Sequence, residues 1–245
     1  MDFANHTVLI TGGASGIGLS LAARFVQKGS TVIICGRNRD KLAAAKALYP
    51  QITTHVCDLA NVEERVALVN WVSAEFPALN MLVNNAGIQQ RMQLTQEPAW
   101  KILEQEIAIN LAAPIHLSML FIPYLRKQAN PAIINVTSGL AFVPLAIAPI
   151  YSATKAALHS FTLSLRHQVR DTPIAVIEII PPAVNTDLGG KGLHTTGVDV
   201  DEFTDAIVTQ LQGGQQEVSY GFAAQSSQAT REQLDAFFER MNQRR

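Results

Sequence analysis

The stretch Thr7-Val8-Leu9-Ile10-Thr11-Gly12-Gly13-Ala14-Ser15-Gly16-Ile17-Gly18 decides the fold. Residues 7–10 are β-branched or apolar and read as a strand, and a helical pattern opens at Gly16. The glycines between them have distinct physical uses. They permit unusual φ, bring bare backbone close to a ligand, and let the helix pack tightly on a sheet. A glycine pattern alone is a weak signal. With a strand before it and a helix after it, the pattern reads as a turn that holds a dinucleotide pyrophosphate at a helix N-terminus. Gly12, Ser15, Gly16, Ile17 and Gly18 are therefore expected to bind cofactor. The glycine spacing, three residues and then one, differs from G-x-G-x-x-G.

The rest of the chain repeats this unit. Short apolar runs at 31–35, 52–56, 81–83, 132–136, 174–180 and 217–220 alternate with helical patterns near 39–48, 61–75, 98–128, 150–170 and 201–212. Most of the runs are too apolar for a half-exposed strand and suit a parallel sheet covered on both faces. The expected fold is a doubly wound, Rossmann-type α/β sheet in three layers, with its ligand crevice at the carboxyl ends of the strands. Residues 1–245 read as one domain. A Gly- and Thr-rich irregular stretch at 181–198 suggests a lid at about 187–200, and a last helix is expected near 230–241.

Bulk composition narrows the function. Charged residues make up 16% and hydrophobic residues 48% of the 245, and the net charge is −1. There is no basic excess for nucleic acid or an anionic membrane. No apolar stretch approaches the roughly 18–20 residues of a membrane span, and no signal peptide is visible. Cys35 and Cys57 each lie near the end of a strand and read as reduced and structural, which suits the cytoplasm. Asn135-Val136-Thr137 matches a glycosylation sequon by chance. No metal site is expected.

Cofactor choice rests on the end of the second strand, Cys35-Gly36-Arg37-Asn38. Folds that prefer NAD carry an acid there for the ribose 2′-hydroxyl. None stands here. An acid would repel a 2′-phosphate, whereas Arg37 can grip one with its forked donors. NADP(H) is expected over NAD(H). Asp58, after the third strand, is placed either to meet adenine or to cap a helix. Asn84-Asn85-Ala86-Gly87 ends the fourth strand, where two amides can tie strand ends and small residues leave space for cofactor.

Tyr151 and Lys155 stand four apart in Tyr-Ser-Ala-Thr-Lys and stack on one helix face. A phenol of pKa near 10 is a poor proton shuttle at pH 7. A neighbouring ammonium favours phenolate. A shift of about 3 units needs roughly 4 kcal/mol, a load that a desolvated lysine and a cationic nicotinamide can carry. Taken alone, such a pair is more often an inconsequential helix contact.

Together these residues resemble the short-chain dehydrogenase/reductase family, from the Thr11–Gly18 turn to the region of Thr186. The resemblance implies a seven-stranded parallel sheet and contact of Asp58, with Leu59, to adenine. It implies a cofactor cleft lined by Asn85, Ala86 and Gly87. It also implies a catalytic tetrad of Asn110, Ser138, Tyr151 and Lys155, with Val184 and Thr186 at the carboxamide. Residues 136–142, 156–161 and 165–168 and the turn at 181–184 resemble the DltE-like subgroup of these oxidoreductases. Two departures stand out. Pro181-Pro182 replaces the usual Pro-Gly, and Ser15 stands where some NADP-preferring members carry a basic residue.

The implied reaction moves a hydride between nicotinamide and a small, apolar carbonyl or alcohol substrate. Ile88, Gln89, Leu140, Phe142, Leu145, Ile147 and the 188–193 lid are candidates to line its pocket, and His194 reads as a surface residue. An NADP(H)-binding sensor or cell-envelope accessory protein is the alternative. The family's assemblies imply a homodimer or homotetramer, with Leu158, Phe161 and Leu165 as candidates for a helical interface.

Overall fold

Val8, Leu9 and Ile10 are all fully buried, as a strand covered on both faces requires. The computed structural model describes residues 3–243. Its elements run β1 (Thr7–Thr11), α1 (Gly16–Gln27), β2 (Thr31–Gly36), α2 (Arg39–Leu48), β3 (Thr53–Val56), α3 (Val62–Glu75) and β4 (Met81–Asn84). There follow α4 (Trp100–Ile107), α5 (Ala113–Leu125), β5 (Ala132–Val136), α6 (Pro149–Gln168), β6 (Ala175–Ile180) and α7 (Val200–Gln212). The chain closes with β7 (Glu217–Ser219), α8 (Gly221–Ser226) and α9 (Arg231–Asn242).

The strands form one parallel sheet in the order β3-β2-β1-β4-β5-β6-β7. The order reverses between β1 and β4, which opens a crevice at their carboxyl ends. Alternation along β1 divides the core. Val8 and Ile10 pack with Phe25 and Phe203 on one face. Leu9 packs with Ile33, Phe121 and Leu165 on the other. Three layers, helix–sheet–helix, follow from that two-residue period.

The helix expected over 98–128 is instead two helices joined by a π turn at Ala108–Ala112. The composite run Trp100–Leu125, 26 residues long, contains an 18-residue window of mean hydropathy 1.5, so it does meet the length and composition of a membrane span. This corrects the sequence expectation. The run packs on α3, α6, β4 and β5. Glu106 and Asn110 are wholly buried within protein, so the apolar composition serves a core helix. Asn135 is also wholly buried and bonded to Asn84 and Thr162, which removes the glycosylation sequon from consideration.

The crevice is braced at the β1–β4 junction. The Thr11 hydroxyl donates to Val83 O at 3.2 Å and accepts from the backbone N–H groups of Asn85 at 3.0 Å and Ala86 at 3.1 Å. Asn85 Nδ2 donates back to Thr11 O at 2.9 Å and Gly12 O at 3.2 Å. Asn84 Nδ2 reaches Asn135 Oδ1 at 2.9 Å and so ties β4 to β5. Thr11→Val keeps the shape and removes the acceptor for two N–H groups. It is expected to lower unfolding stability by about 2–4 kcal/mol in a denaturant titration.

Candidate active site

The dinucleotide end of the crevice is built on backbone. Gly12 and Gly16 have φ of +64° and +54°, where a side chain strains the chain. A Cβ on Gly18 would lie 2.4 Å from Asn85 Nδ2 and 2.5 Å from Gly12 O. The Ser15 hydroxyl makes no capping bond to α1, so the first N–H groups of that helix are left for an anion. Bare backbone and an uncapped helix start suit the pyrophosphate expected there.

Gly12, Ser15, Gly16, Ile17 and Gly18 all line one cavity of about 790 Å³, a size suited to a cofactor or drug-sized ligand. Arg37 lies at its rim, exposed and without an ion pair among the described residues. Lys41, one turn into α2, lines the same rim. Sequence reading missed it; its backbone N–H donates to the Asn38 cap at 2.9 Å, which sets it in the first turn of α2. Asp58 and Leu59 line the cavity beyond. Asp58 does not cap α3: Asn61 does, while Asp58 Oδ1 accepts from Ala60 N at 3.0 Å.

At the other end, β4, β5 and α6 bring Asn85, Ala86, Gly87, Ser138, Tyr151 and Lys155 to the cavity wall. Lys155 Nζ donates to Val136 O at 2.7 Å and lies 5.6 Å from the centre of the Tyr151 ring. Asn110 does not line the cavity. It sits behind Gly87 in the π turn, accepting from Ile88 N at 2.9 Å and donating to Ile88 O at 2.8 Å. Its Nδ2 also reaches Thr154 Oγ1 at 3.3 Å. The break in regular α-helical hydrogen bonding, the π turn, falls at this residue.

Burial dominates the electrostatics. It pushes the Tyr151 phenol up to about 12, with a Ser138 hydrogen bond working downward and the charge of Glu106 upward. It pushes Lys155 down to about 8. The expected lowering of the tyrosine is therefore not met by protein groups alone, since the cost of burying a phenolate sets the direction. Next to Ser138 in sequence stands a buried cluster that sequence reading missed. Thr137 Oγ1 donates to the buried Glu178 at 2.7 Å, and His159 Nδ1 lies 2.9 Å from the same carboxylate. Glu178 raises the histidine's pKa.

The substrate end mixes expected and unexpected residues. Ile88, Gln89, Leu140, Leu145 and Leu188 line it. Phe142 instead packs edge-on against His159, and Ile147 is largely exposed, its carbonyl accepting from Met92 N at 2.9 Å. His194, expected at the surface, is half-buried: it lines the cavity and its Nε2 lies 3.2 Å from Gln89 Oε1. Glycine at 189 (φ +75°) and 192 (φ +82°) folds that segment inward.

Val184 and Thr186 line the cavity, and Val184 pairs with Val198 to clasp the base of the loop. Asp199 caps α7 and Val200 begins it, so the loop ends earlier than residue 200. Pro182 keeps the 181–184 turn at the wall, with Gly139 N bonded to Pro181 O at 2.9 Å. Phe222 from α8 and Met241 from α9 complete the wall. A six-residue helix is too short to show a period, which is why α8 escaped notice.

A family model of short chain dehydrogenases matches residues 6–196. The oxidoreductase DltE of Bacillus subtilis (strain 168) is 48% identical over 99% of this chain and 98% of its own. A short-chain dehydrogenase from Burkholderia cenocepacia J2315, solved in complex with NADP, superposes with a TM-score of 0.84 at 25% identity. It covers 97% of this chain and 99% of its own. A Sphingobium yanoikuyae short-chain dehydrogenase in complex with NADPH gives 0.81 at 25% identity, over 95% and 92%. Family match, near full-length identity and shared fold converge with the geometry of the cleft: the chain is an oxidoreductase of the short-chain dehydrogenase family.

Proposed function

We propose that this protein is an NADP(H)-dependent carbonyl reductase or alcohol dehydrogenase that works through Ser138, Tyr151, Lys155 and Asn110. The observation that carries this reading is the placement of Tyr151, its ring centre 5.6 Å from Lys155 Nζ, on the same wall as Ser138 in the cavity that the Gly12–Gly18 turn begins. A bound nicotinamide dinucleotide supplies the hydride.

The chain's own groups handle the oxygen. Tyr151, protonated at neutral pH, donates its proton to the oxygen of a carbonyl substrate as a general acid. The Ser138 hydroxyl donates a hydrogen bond to the same oxygen and fixes its position. Lys155 is still an ammonium at pH 7, so it replenishes the tyrosine's proton and favours the phenolate left behind. Asn110 holds Ile88 by both of its backbone polar groups and so keeps the polar path from Lys155 toward solvent in register. The Asn85–Gly87 end of β4 and the Val184–Thr186 turn flank the nicotinamide side of the cleft.

The 2′-phosphate choice follows from the rim. Arg37 has no ion pair among the described residues, Lys41 lines the same cavity, and the strand end Cys35-Gly36-Arg37-Asn38 carries no acid. Two relatives of the same fold are described in complex with NADP and NADPH, in line with that charge.

The substrate end is walled mainly by Leu140, Leu145, Leu188, Phe222 and Met241, with Gln89 and His194 as its polar points. It suits a small, largely apolar ketone, aldehyde or secondary alcohol, covered by residues 187–198 as a lid. Assembly is read from α4–α6. Trp100 is 65% and Met119 62% exposed on these helices, with Ile102 and Leu163 also open. That apolar set suits a symmetric helical interface. Leu158 and Leu165, expected at an interface, are instead buried in the chain's own core.

Three measurements test these readings. Tyr151→Phe is expected to lower kcat at least 100-fold on any carbonyl the native enzyme reduces; near-native turnover overturns the acid assignment. Arg37→Ala is expected to weaken NADPH binding about 10- to 100-fold and leave NADH nearly unchanged. A native protein with no preference between them removes the phosphate argument. Light scattering should give a mass of two or four chains, and a one-chain mass contradicts the interface.

A further inference from the structure

Glu106 is a fully buried acid that the proposed mechanism does not use. It lies on α4, one turn before Asn110, and faces the first turns of α6. Its Oε1 accepts from the backbone N–H of Gln90 at 3.1 Å. Its Oε2 is buried and has no hydrogen-bond partner among the described residues. A buried carboxylate oxygen left bare is costly, so its retention calls for a use.

The surroundings suggest one. Residues 88–92 form a strap along the cavity, and α4 and its π turn hold the strap at two points. Asn110 grips Ile88 and Glu106 grips Gln90. The strap's far end is bonded to Ile147, just before α6. Glu106 thus sits under the strap, between α4 and the part of α6 that carries Tyr151. The ionisable groups on the elements around it are Tyr151 and Lys155 on α6, Arg91 on the strap and His194 against Gln89. Lys101 and Glu104, on its own helix, are exposed. None of these is bonded to Oε2, so no cation neutralises the carboxylate by direct contact.

We propose that Glu106 is a positioning residue of this site, which fixes the strap through Gln90 and whose charge adds to burial in disfavouring the Tyr151 phenolate. The inference rests on the reading of Tyr151 as the acid. Two like charges in one buried region oppose each other. An ionised Glu106 disfavours the Tyr151 phenolate, which matches the upward influence of Glu106 on that phenol. Glu106 itself is pushed up to about 7 by burial, with the Gln90 N–H working downward. Its charge is therefore fractional near neutrality and complete in the alkaline range where Tyr151 loses its proton. Charge on Glu106 then favours carbonyl reduction, which needs the phenol, over alcohol oxidation, which needs the phenolate.

Glu106→Gln separates charge from shape, because the amide oxygen still accepts from Gln90. The test follows phenolate by carbon-13 NMR of ring-labelled tyrosine in the full-length protein without added cofactor, with Tyr151→Phe identifying the signal. Glu106→Gln should raise the Tyr151 phenolate fraction at pH 10 about tenfold, a shift of about one pH unit. The pH at which kcat/KM for alcohol oxidation rises should move down with it. An unchanged phenolate fraction overturns the proposal and leaves Glu106 only as an anchor for the strap. Retained turnover in Tyr151→Phe would sink the catalytic reading of Tyr151, while the titration still decides the coupling to Glu106.

Discussion

The structure depends on the junction where β1 and β4 end side by side with no chain crossing between them. Parallel strands that part in opposite directions leave a crevice, and the crevice exposes polar backbone that must be satisfied. Thr11 and Asn85 meet this need reciprocally, each serving the other's strand. That exchange fixes the floor on which both ends of the cavity are built. The phosphate turn rises from the β1 side. The Asn85–Gly87 segment rises from the β4 side and is met by Lys155 and Asn110, whose polar atoms would lie 3.7 and 3.5 Å from a Cβ placed on Gly87.

A second constraint is the cost of burying charge. Lys155, Glu178 and Glu106 all lie within protein at the carboxyl side of the sheet. Each is handled differently. Lys155 takes a backbone carbonyl, Glu178 takes a threonine and a histidine, and Glu106 takes one amide and leaves an oxygen bare. Such groups weaken a fold unless they are paired. Perturbed buried groups of this kind gather at functional sites, and these lie on the elements that carry the cavity wall.

Much of this was legible in the sequence because the chain states it locally. The strand–glycine–helix order around Gly12 predicts the first β–α unit, and the apolar runs predict all seven strands to within a residue or so. Tyr151 and Lys155 declare their contact by helical spacing alone. The missing acid after β2 is equally local. What escaped depends on tertiary packing. His194 looks like a loop residue until glycines at 189 and 192 fold it against Gln89. Phe142 looks like pocket lining until His159 occupies its face. Glu106 looks like one more helical glutamate, because nothing in its neighbours reveals that both the strap and α6 cover it. The membrane-like hydropathy of residues 100–125 is the converse case. It is a local signal whose meaning only the packing supplies.

Gly18 carries a consequence for anyone wishing to move this site elsewhere. The space a methyl group would need there is already taken by the Asn85 side chain and by the carbonyl of Gly12. The glycine turn is thus keyed to a residue more than sixty positions away. Grafting residues 11–18 into another scaffold, or swapping in a turn with different glycine spacing, also requires transplanting the end of β4. The heritable unit is the pair of strand ends, and a chimera that divides them should lose the turn's shape before it loses its sequence.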